Sequence, residues 1–365
     1  MSSDGAVAVD IVVNNHNYGQ YVCDAVDSAL AQDHSRVSVI VVDDGSSDDS
    51  PELLRRYEDR VTLLFKENGG QPSAVNAGFE KCRGDVVMFL DADDTLAPQA
   101  ASRAAAAFAA DPAAARLQFR ITAVDESGHE LTRAPGPPAS VRAGGDLRLA
   151  ELTSPFEMPT VPTSANAFRT ALLRRIMPIP ESRYGAWGAD YYLVHLSTLL
   201  GPVIFLPETG AHYRVHGTNA FQPSASVLNL QRIRSEIRYQ EVTLECLSKL
   251  AERLHLDHPR PILSMSNLIL RIVSRRLAPE DHPVPGDELP ALLAAAVRAA
   301  QRRRDLTPIR RFVQVAALAS LCISPRSVAR RLAELMVFPE LRGRRGETGS
   351  AGGGEISAPS RGRSV

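Results

Sequence analysis

Over the first hundred positions, short runs of consecutive apolar, largely β-branched residues alternate with stretches whose apolar positions recur at helical spacing. Residues 7–13 predict a buried strand that ends at the polar loop Asn14-Asn15-His16-Asn17-Tyr18-Gly19. Residues 21–32 place Val22, Ala25, Val26, Ala29 and Leu30 on one helical face. A second strand at 37–42 is stopped by Asp43-Asp44-Gly45-Ser46-Ser47, and a helix starts near Ser50 with Pro51 suited to its first turn. A strand at 61–65, a helix at 74–81 and a strand at 85–90 follow, the last running directly into Asp91-Ala92-Asp93-Asp94. Strands that are apolar throughout and alternate with helices predict an α/β fold, a mostly parallel sheet with helices on both faces. Such sheets bind ligands at the C-terminal ends of their strands. Three polar loops, 14–18, 43–47 and 91–95, fall at that edge.

Farther along, the pattern predicts a helix at 98–110, a strand at 117–124, and a Pro/Gly-rich loop at 134–145. Helices at 164–175 and 189–200 and a strand at 203–206 come next. From residue 228 the periodicity is helical only, at 228–256, 262–277, 289–304, 309–323 and 325–337. The change sets a boundary near 220–225, giving a sheet domain at 1–225, an all-helical region at 226–342 and a Gly/Ser/Arg-rich tail at 343–365 that is expected to be disordered.

Composition narrows the class. With 44% hydrophobic and 23% charged residues and a formal net charge of −1, the chain can bury a full core and carries no global field to draw in nucleic acid. Its four cysteines lie far apart without metal-ligand spacing, as expected of reduced thiols. The N-terminus lacks a signal-peptide pattern, and no apolar stretch approaches the ~18 residues of a membrane span. A cytoplasmic protein is expected, with peripheral contact at the inner face of the membrane as an option. That option comes from the arginine-rich, apolar-interrupted segment 301–346, which reads either as a surface resting on anionic lipid or as solvated helix faces that pack on one another or on a second copy. The second reading is preferred.

The chemistry concentrates in the polar loops. Three carboxylates at the end of a buried strand repel one another, and a hard divalent ion, Mg²⁺ or Mn²⁺, relieves that cost and bridges to diphosphate oxygens. The competing reading is an acidic turn with Asp94 or Thr95 capping the next helix. Within 43–48 a carboxylate can accept from a nucleobase imide N–H, or the segment is simply a turn with a Ser47 or Asp48 cap. Small residues in 66–78 let a loop approach a ligand, and neither the GxxxxGK[ST] nor the GxGxxG pattern is present there.

Taken in order, VDIVVNNHNYGQY, VIVVDDGSSDDS, KENGGQPSAVNAGFEKCRGDVVMFLDADD and YRVHGTN resemble the family-2 glycosyltransferases of GT-A fold, over roughly the first 220 residues. The resemblance implies an inverting transferase that takes a sugar from a nucleoside diphosphate sugar and passes it to a hydroxyl of a glycan, a lipid-linked glycan or a small molecule. It assigns nucleotide contacts to Asn14, Asn17, Asp44, Asn76, Asp91 and Asp93, and Mn²⁺ or Mg²⁺ to Asp93, Asp94 and His216. Arg214 is a further diphosphate candidate. Where the family usually opens with Pro-Thr-Tyr-Asn, this chain has Asn14-Asn15-His16-Asn17, so Asn17 alone matches. Inversion needs a base for the acceptor hydroxyl. The motif around 184–193 has Ala189-Asp190 where many relatives carry Glu-Asp, which leaves Asp190 as the catalytic candidate; otherwise it is a helix cap. Trp187 either stacks on a sugar or fills the core, and His212 reads as structural. A homo-oligomer is compatible with the helical region. The rival reading is a non-catalytic sugar-nucleotide or glycan-binding protein on the same fold.

Overall fold

Four parallel strands form the predicted nucleus. The computed structural model describes residues 6–131, 144–157, 162–217, 228–257, 261–303 and 306–337. In chain order these begin with β1 (Val9–Asn15), α1 (Gly19–Leu30), β2 (Val37–Asp44), α2 (Ser50–Arg55), β3 (Thr62–Lys66), α3 (Gln71–Lys81) and β4 (Val86–Asp91). Then come β5 (Thr95–Leu96), α4 (Ala100–Ala110), β6 (Arg116–Val124), α5 (Arg148–Thr153), β7 (Asn166–Arg169), α6 (Thr170–Leu173), α7 (Glu181–Tyr184), α8 (Ala189–Thr198) and β8 (Val203–Arg214). One sheet runs β3-β2-β1-β4-β7-β6-β8-β5. β3, β2, β1 and β4 are mutually parallel, β7 is antiparallel to both of its neighbours, and β6 and β8 are again parallel.

The uninterrupted apolar runs follow from burial on both faces. In β1, Ile11 and Val13 meet Val22 and Val26 of α1, and Phe108 of α4 joins the same cluster. Val12 points the other way, into a cluster with Ala74, Val75 and Phe79 of α3 and Leu193 of α8. All three β1 side chains are fully buried, and each contributes about 1.5–3 kcal/mol by leaving water.

The segment 164–175 departs from the predicted helix: a 3₁₀ turn at Thr163–Ala165 leads into β7, and only Thr170–Leu173 is helical. Ala167 belongs to the core on one side of the sheet and Phe168 to the core on the other. A strand seated between two others shows no polar alternation, and a short apolar run of this kind has no decisive period. β8 is also longer than expected, twelve residues, because it continues past residue 206 to pair with β5.

Beyond the sheet lie α9 (Leu230–Arg253), α10 (Met265–Leu277), α11 (Leu289–Arg302), α12 (Pro308–Ile323) and α13 (Arg326–Val337). Ile233 and Ile237 of α9 pack with Leu268 and Ile272 of α10, Ala296 of α11, Leu318 of α12 and Ala333 of α13. The opposite end of α9 belongs to the sheet side of the molecule: Leu247, Leu250 and Ala251 lie in the cluster that holds α3 and α8. The loop expected at 134–145 (except Gly144 and Gly145), the boundary at 220–225 and the tail at 343–365 lie outside the described residues. Among the described residues no helix is long and apolar enough to cross a membrane. α12 leaves Ile309, Phe312, Val313 and Ile323 exposed.

Candidate active site

The strand order reverses at β1, which has β2 on one side and β4 on the other. Such a reversal leaves a crevice beyond the carboxyl ends of the strands. Register places Asn14 opposite Asp91 and Asn15 opposite Asp43. The Asn14 amide donates to Asp91 Oδ1 (2.9 Å) and to the Leu90 carbonyl (3.1 Å), and Gln71 Nε2 donates to the same Asp91 oxygen (3.0 Å). Even so, burial first and the neighbouring Asp93 charge second raise the Asp91 carboxyl from its ordinary value to about 6.

The second loop is fixed from within. Asn15 Nδ2 and Ser46 Oγ donate to Asp43 Oδ1 (2.8 and 2.7 Å), so Asp43 serves the turn. Asp44 is buried and accepts from Lys66 Nζ (2.6 Å), the Gly69 N–H (3.1 Å) and the Gly70 N–H (2.7 Å). It thereby ties the loop after β3 to the crevice and still lines the cavity described below.

Gly70 has φ +84° and ψ 169°, a region that only glycine occupies freely. A methyl there would stand 2.9 Å from both Ala186 Cα and the Gly185 carbonyl oxygen. The adjacent Gln71 N–H donates to the Ala186 carbonyl (3.1 Å), so the loop after β3 and the loop before α8 are clasped backbone to backbone. Gly70→Ala is expected to destabilise the protein by roughly 1–3 kcal/mol, read as a lowered midpoint in urea denaturation with an unchanged slope.

The acidic run splits in direction. Asp93 lines the cavity, and its Oδ2 lies 3.0 Å from Nε2 of the buried His216. Tyr21 and Tyr18 pack against the His216 ring at 4.9 and 5.7 Å. Asp94 turns away. Its Oδ2 accepts from Ser164 Oγ (2.6 Å) and its Oδ1 from the Arg214 N–H (3.0 Å), and burial raises its carboxyl well above the ordinary value. Asp94 thus pins the acidic turn to β8, and neither it nor His216 is among the residues that line the cavity described below. Arg214 is likewise committed, to the Asp93 carbonyl (3.0 Å), the Glu126 carbonyl (2.7 Å) and Asp24 Oδ2 (2.9 Å), with Tyr21 under its guanidinium. Among the described residues no three His, Cys, Asp or Glu side chains converge as a metal cage. Asp93 and His216 offer an adjacent carboxylate oxygen and imidazole nitrogen, a donor pair suited to a divalent ion that takes its remaining ligands from phosphate and water.

Asp190 enters the crevice from the first turn of α8. Its Oδ1 is buried and has no hydrogen-bond partner. Burial, then the Asp91 charge, raises its carboxyl to about 8. The unfolded chain releases this proton near the ordinary 3.8, whereas the folded chain keeps it until about 8. Rising pH across that window therefore favours unfolding. In the absence of divalent ions, thermal stability is expected to fall from pH ~4 to ~8, and to fall less in Asp190→Asn; thermal melts of both proteins across that range check it.

Asp44, Asp91, Asp93 and Asp190 line one cavity of about 510 Å³. At the strand edge it is lined by Asn14, His16, Asp44, Gln71, Asp91 and Asp93. Its other half is lined by Trp187, Asp190, Tyr191 and His195 together with Glu236, Gln240 and Ser266 from the helical region. Two expected nucleotide residues are not among its walls. The Asn17 side-chain oxygen accepts from the Ser47 N–H (2.7 Å) and clasps two loops. The Asn76 amide is spent on the Ile179 carbonyl and Glu181 Oε1 (both 2.9 Å). Gln71, Glu236, Gln240 and the His195–Glu151 pair were not foreseen; Glu236 and Gln240 are four apart on α9, a signal that could mark a shared face but not what it faces.

The sequence model of glycosyl transferase family 2 matches residues 10–176. An uncharacterized glycosyltransferase of Nostoc sp. is 31% identical over 232 residues, covering 62% of this chain and 71% of that protein. The undecaprenyl-phosphate 4-deoxy-4-formamido-L-arabinose transferase of Pseudomonas syringae is 40% identical over 93 residues, covering 23% of this chain and 28% of that protein. Among solved structures, S. aureus TarS 1–349 superposes with a TM-score of 0.51 at 16% identity, covering 92% of each chain.

Proposed function

Because the chain belongs to glycosyl transferase family 2 and has the GT-A fold, we propose that it moves a sugar from a nucleoside diphosphate sugar to an acceptor hydroxyl with inversion, aided by Mn²⁺ or Mg²⁺. The observation that carries this reading is the convergence of Asp44, Asp91, Asp93 and Asp190, drawn from two strand ends and a distant helix, on one cavity. TarS 1–349, whose fold this chain shares, has been crystallised with UDP-GlcNAc, which makes UDP-sugars the first donors to try.

The nucleoside would sit at the edge formed by Asn14, His16 and Asp44, with the diphosphate turned toward Asp93. A divalent ion held by Asp93 and His216 would supply positive charge to the departing diphosphate. Asp190, whose Oδ1 is buried and lacks a partner, would take the proton of the attacking hydroxyl. Its raised pKa makes it a stronger base than an exposed carboxylate once it is ionised. Gln71 and Asn14 hold Asp91 in one orientation so that it can accept from the nucleotide rather than swing toward Asp190. The walls from α8 exclude water from the reacting centre, which favours transfer over donor hydrolysis.

The decisive experiment measures nucleoside diphosphate release from a panel of UDP- and GDP-sugars with Mn²⁺, Mg²⁺ or EDTA. Release that requires a divalent ion, and an anomeric configuration opposite to the donor's in the NMR spectrum of the product, is expected. A product of retained configuration, or no release with any donor, contradicts the reading.

A further inference from the structure

The half of the cavity away from the strand edge lies beyond the groups assigned to the nucleotide, and its polar side chains are held by one another. α8 presents Asp190, Tyr191, Val194 and His195 on one face, and α9 presents Glu236 and Gln240 one turn apart. His195 Nδ1 lies 2.8 Å from Glu151 Oε1, both residues are buried, and the other Glu151 oxygen has no partner. With Nδ1 held by a carboxylate, Nε2 is the nitrogen left to face a ligand. Phe156 fixes the imidazole edge-on at 4.6 Å. Across the cavity Tyr191 donates to Glu236 Oε1 (3.2 Å) and the Gln240 amide lies 3.5 Å from the same oxygen, so the Glu236 carboxyl is oriented from two sides. Burial raises that carboxyl above its ordinary range. Trp187, half-exposed, stands at the rim beside these groups.

Carboxyl, amide and imidazole groups at fixed positions beside aromatic faces match the hydroxyls and apolar C–H face of a sugar ring. They offer no cation to a phosphate: among the described lining residues there is no lysine or arginine. Building on the transferase reading, we propose that the face between α8 and α9 is the acceptor subsite, that it selects an uncharged, hydroxyl-rich sugar ring, and that Glu236, Gln240 and His195 are its specificity-determining residues. The helical region is then part of the acceptor site and not an appendage to a self-sufficient sheet domain.

The test uses the full chain and the UDP-sugar that gives the largest thermal shift. UDP release is followed with methyl glycosides of glucose, galactose and N-acetylglucosamine, and in parallel with glucose 6-phosphate and glycerol 3-phosphate. Neutral glycosides are expected to stimulate release severalfold and the phosphates not to. Gln240→Ala and Glu236→Ala, each first shown to retain the donor-induced thermal shift, are expected to raise the glycoside KM roughly tenfold, by loss of one or two hydrogen bonds, with the donor KM unchanged. Stronger stimulation by the phosphates, or variants that keep both the thermal shift and the wild-type glycoside KM, would overturn the subsite. UDP release that no neutral glycoside stimulates also overturns it and leaves the transferase reading standing. No donor-induced shift and no UDP release with any donor overturn both.

Discussion

Replacing Asp190 with asparagine is expected to slow transfer by about 10²–10⁴-fold, the usual contribution of a positioned base, without unfolding the protein. The substitution is nearly isosteric. What it removes is the basic oxygen that lies buried without a partner. In the wild type, kcat/KM should climb with pH through a midpoint near 8 and level off above it, because only the ionised carboxylate accepts a proton and burial beside Asp91 holds its pKa at about 8. The asparagine variant should lose that limb of the profile. A variant with more than a tenth of wild-type kcat would reduce Asp190 to a structural acid in the first turn of α8. Steady-state rates from pH 5 to 9 on both proteins, with circular dichroism to confirm folding, decide it.

Asp93→Ala is expected to lower kcat by about 10²–10³-fold, the scale on which removal of one stabilising group at a developing charge is felt, and to flatten the response to added Mn²⁺ or Mg²⁺. It is the member of the acidic run that both lines the cavity and meets His216. Asp94→Ala provides the contrast. It strips a hydroxyl and a backbone N–H of their acceptor inside the protein, so its expected cost is stability, about 1–3 kcal/mol. Metal titrations of UDP release and urea melts on the two variants separate the roles. If Asp94→Ala abolishes metal response while Asp93→Ala spares it, the assignment of the two carboxylates is reversed.

The sheet was legible because four apolar runs, each ending at a polar loop, leave little freedom in how they assemble. β1, β2, β3 and β4 were all located to within two residues at each end. β7 was not, because Ala167 and Phe168 are buried on opposite faces and their neighbours carry no polar alternation. At the site, the gathering of Asp44, Asp91, Asp93 and Asp190 followed from strand ends plus one motif. What could not be read was the direction of side chains within a motif: Asp93 and Asp94 are adjacent and identical, and only the positions of Ser164, Arg214 and His216 tell them apart. Asn17 and Asn76 were invisible for the same reason, since their amides are satisfied by loops contributed from elsewhere in the chain. The α9 wall depends on a tertiary contact between residues more than forty positions apart, Tyr191 and Glu236, which no local pattern encodes.

The double duty of α9 bears on how this molecule can be divided and how it can diversify. One end of the helix seals the core beside α8 with Leu247, Leu250 and Ala251, and nearer its start Glu236 and Gln240 face the cavity. A chain cut just before α9 would bare that apolar patch and lose a wall of the site at once, so it should aggregate rather than persist as a smaller enzyme. By the same arrangement, substitutions at 236 and 240 can alter what is glycosylated without touching the strand-edge groups assigned to the donor, which gives the two halves of the cavity separate routes of change within one inseparable body.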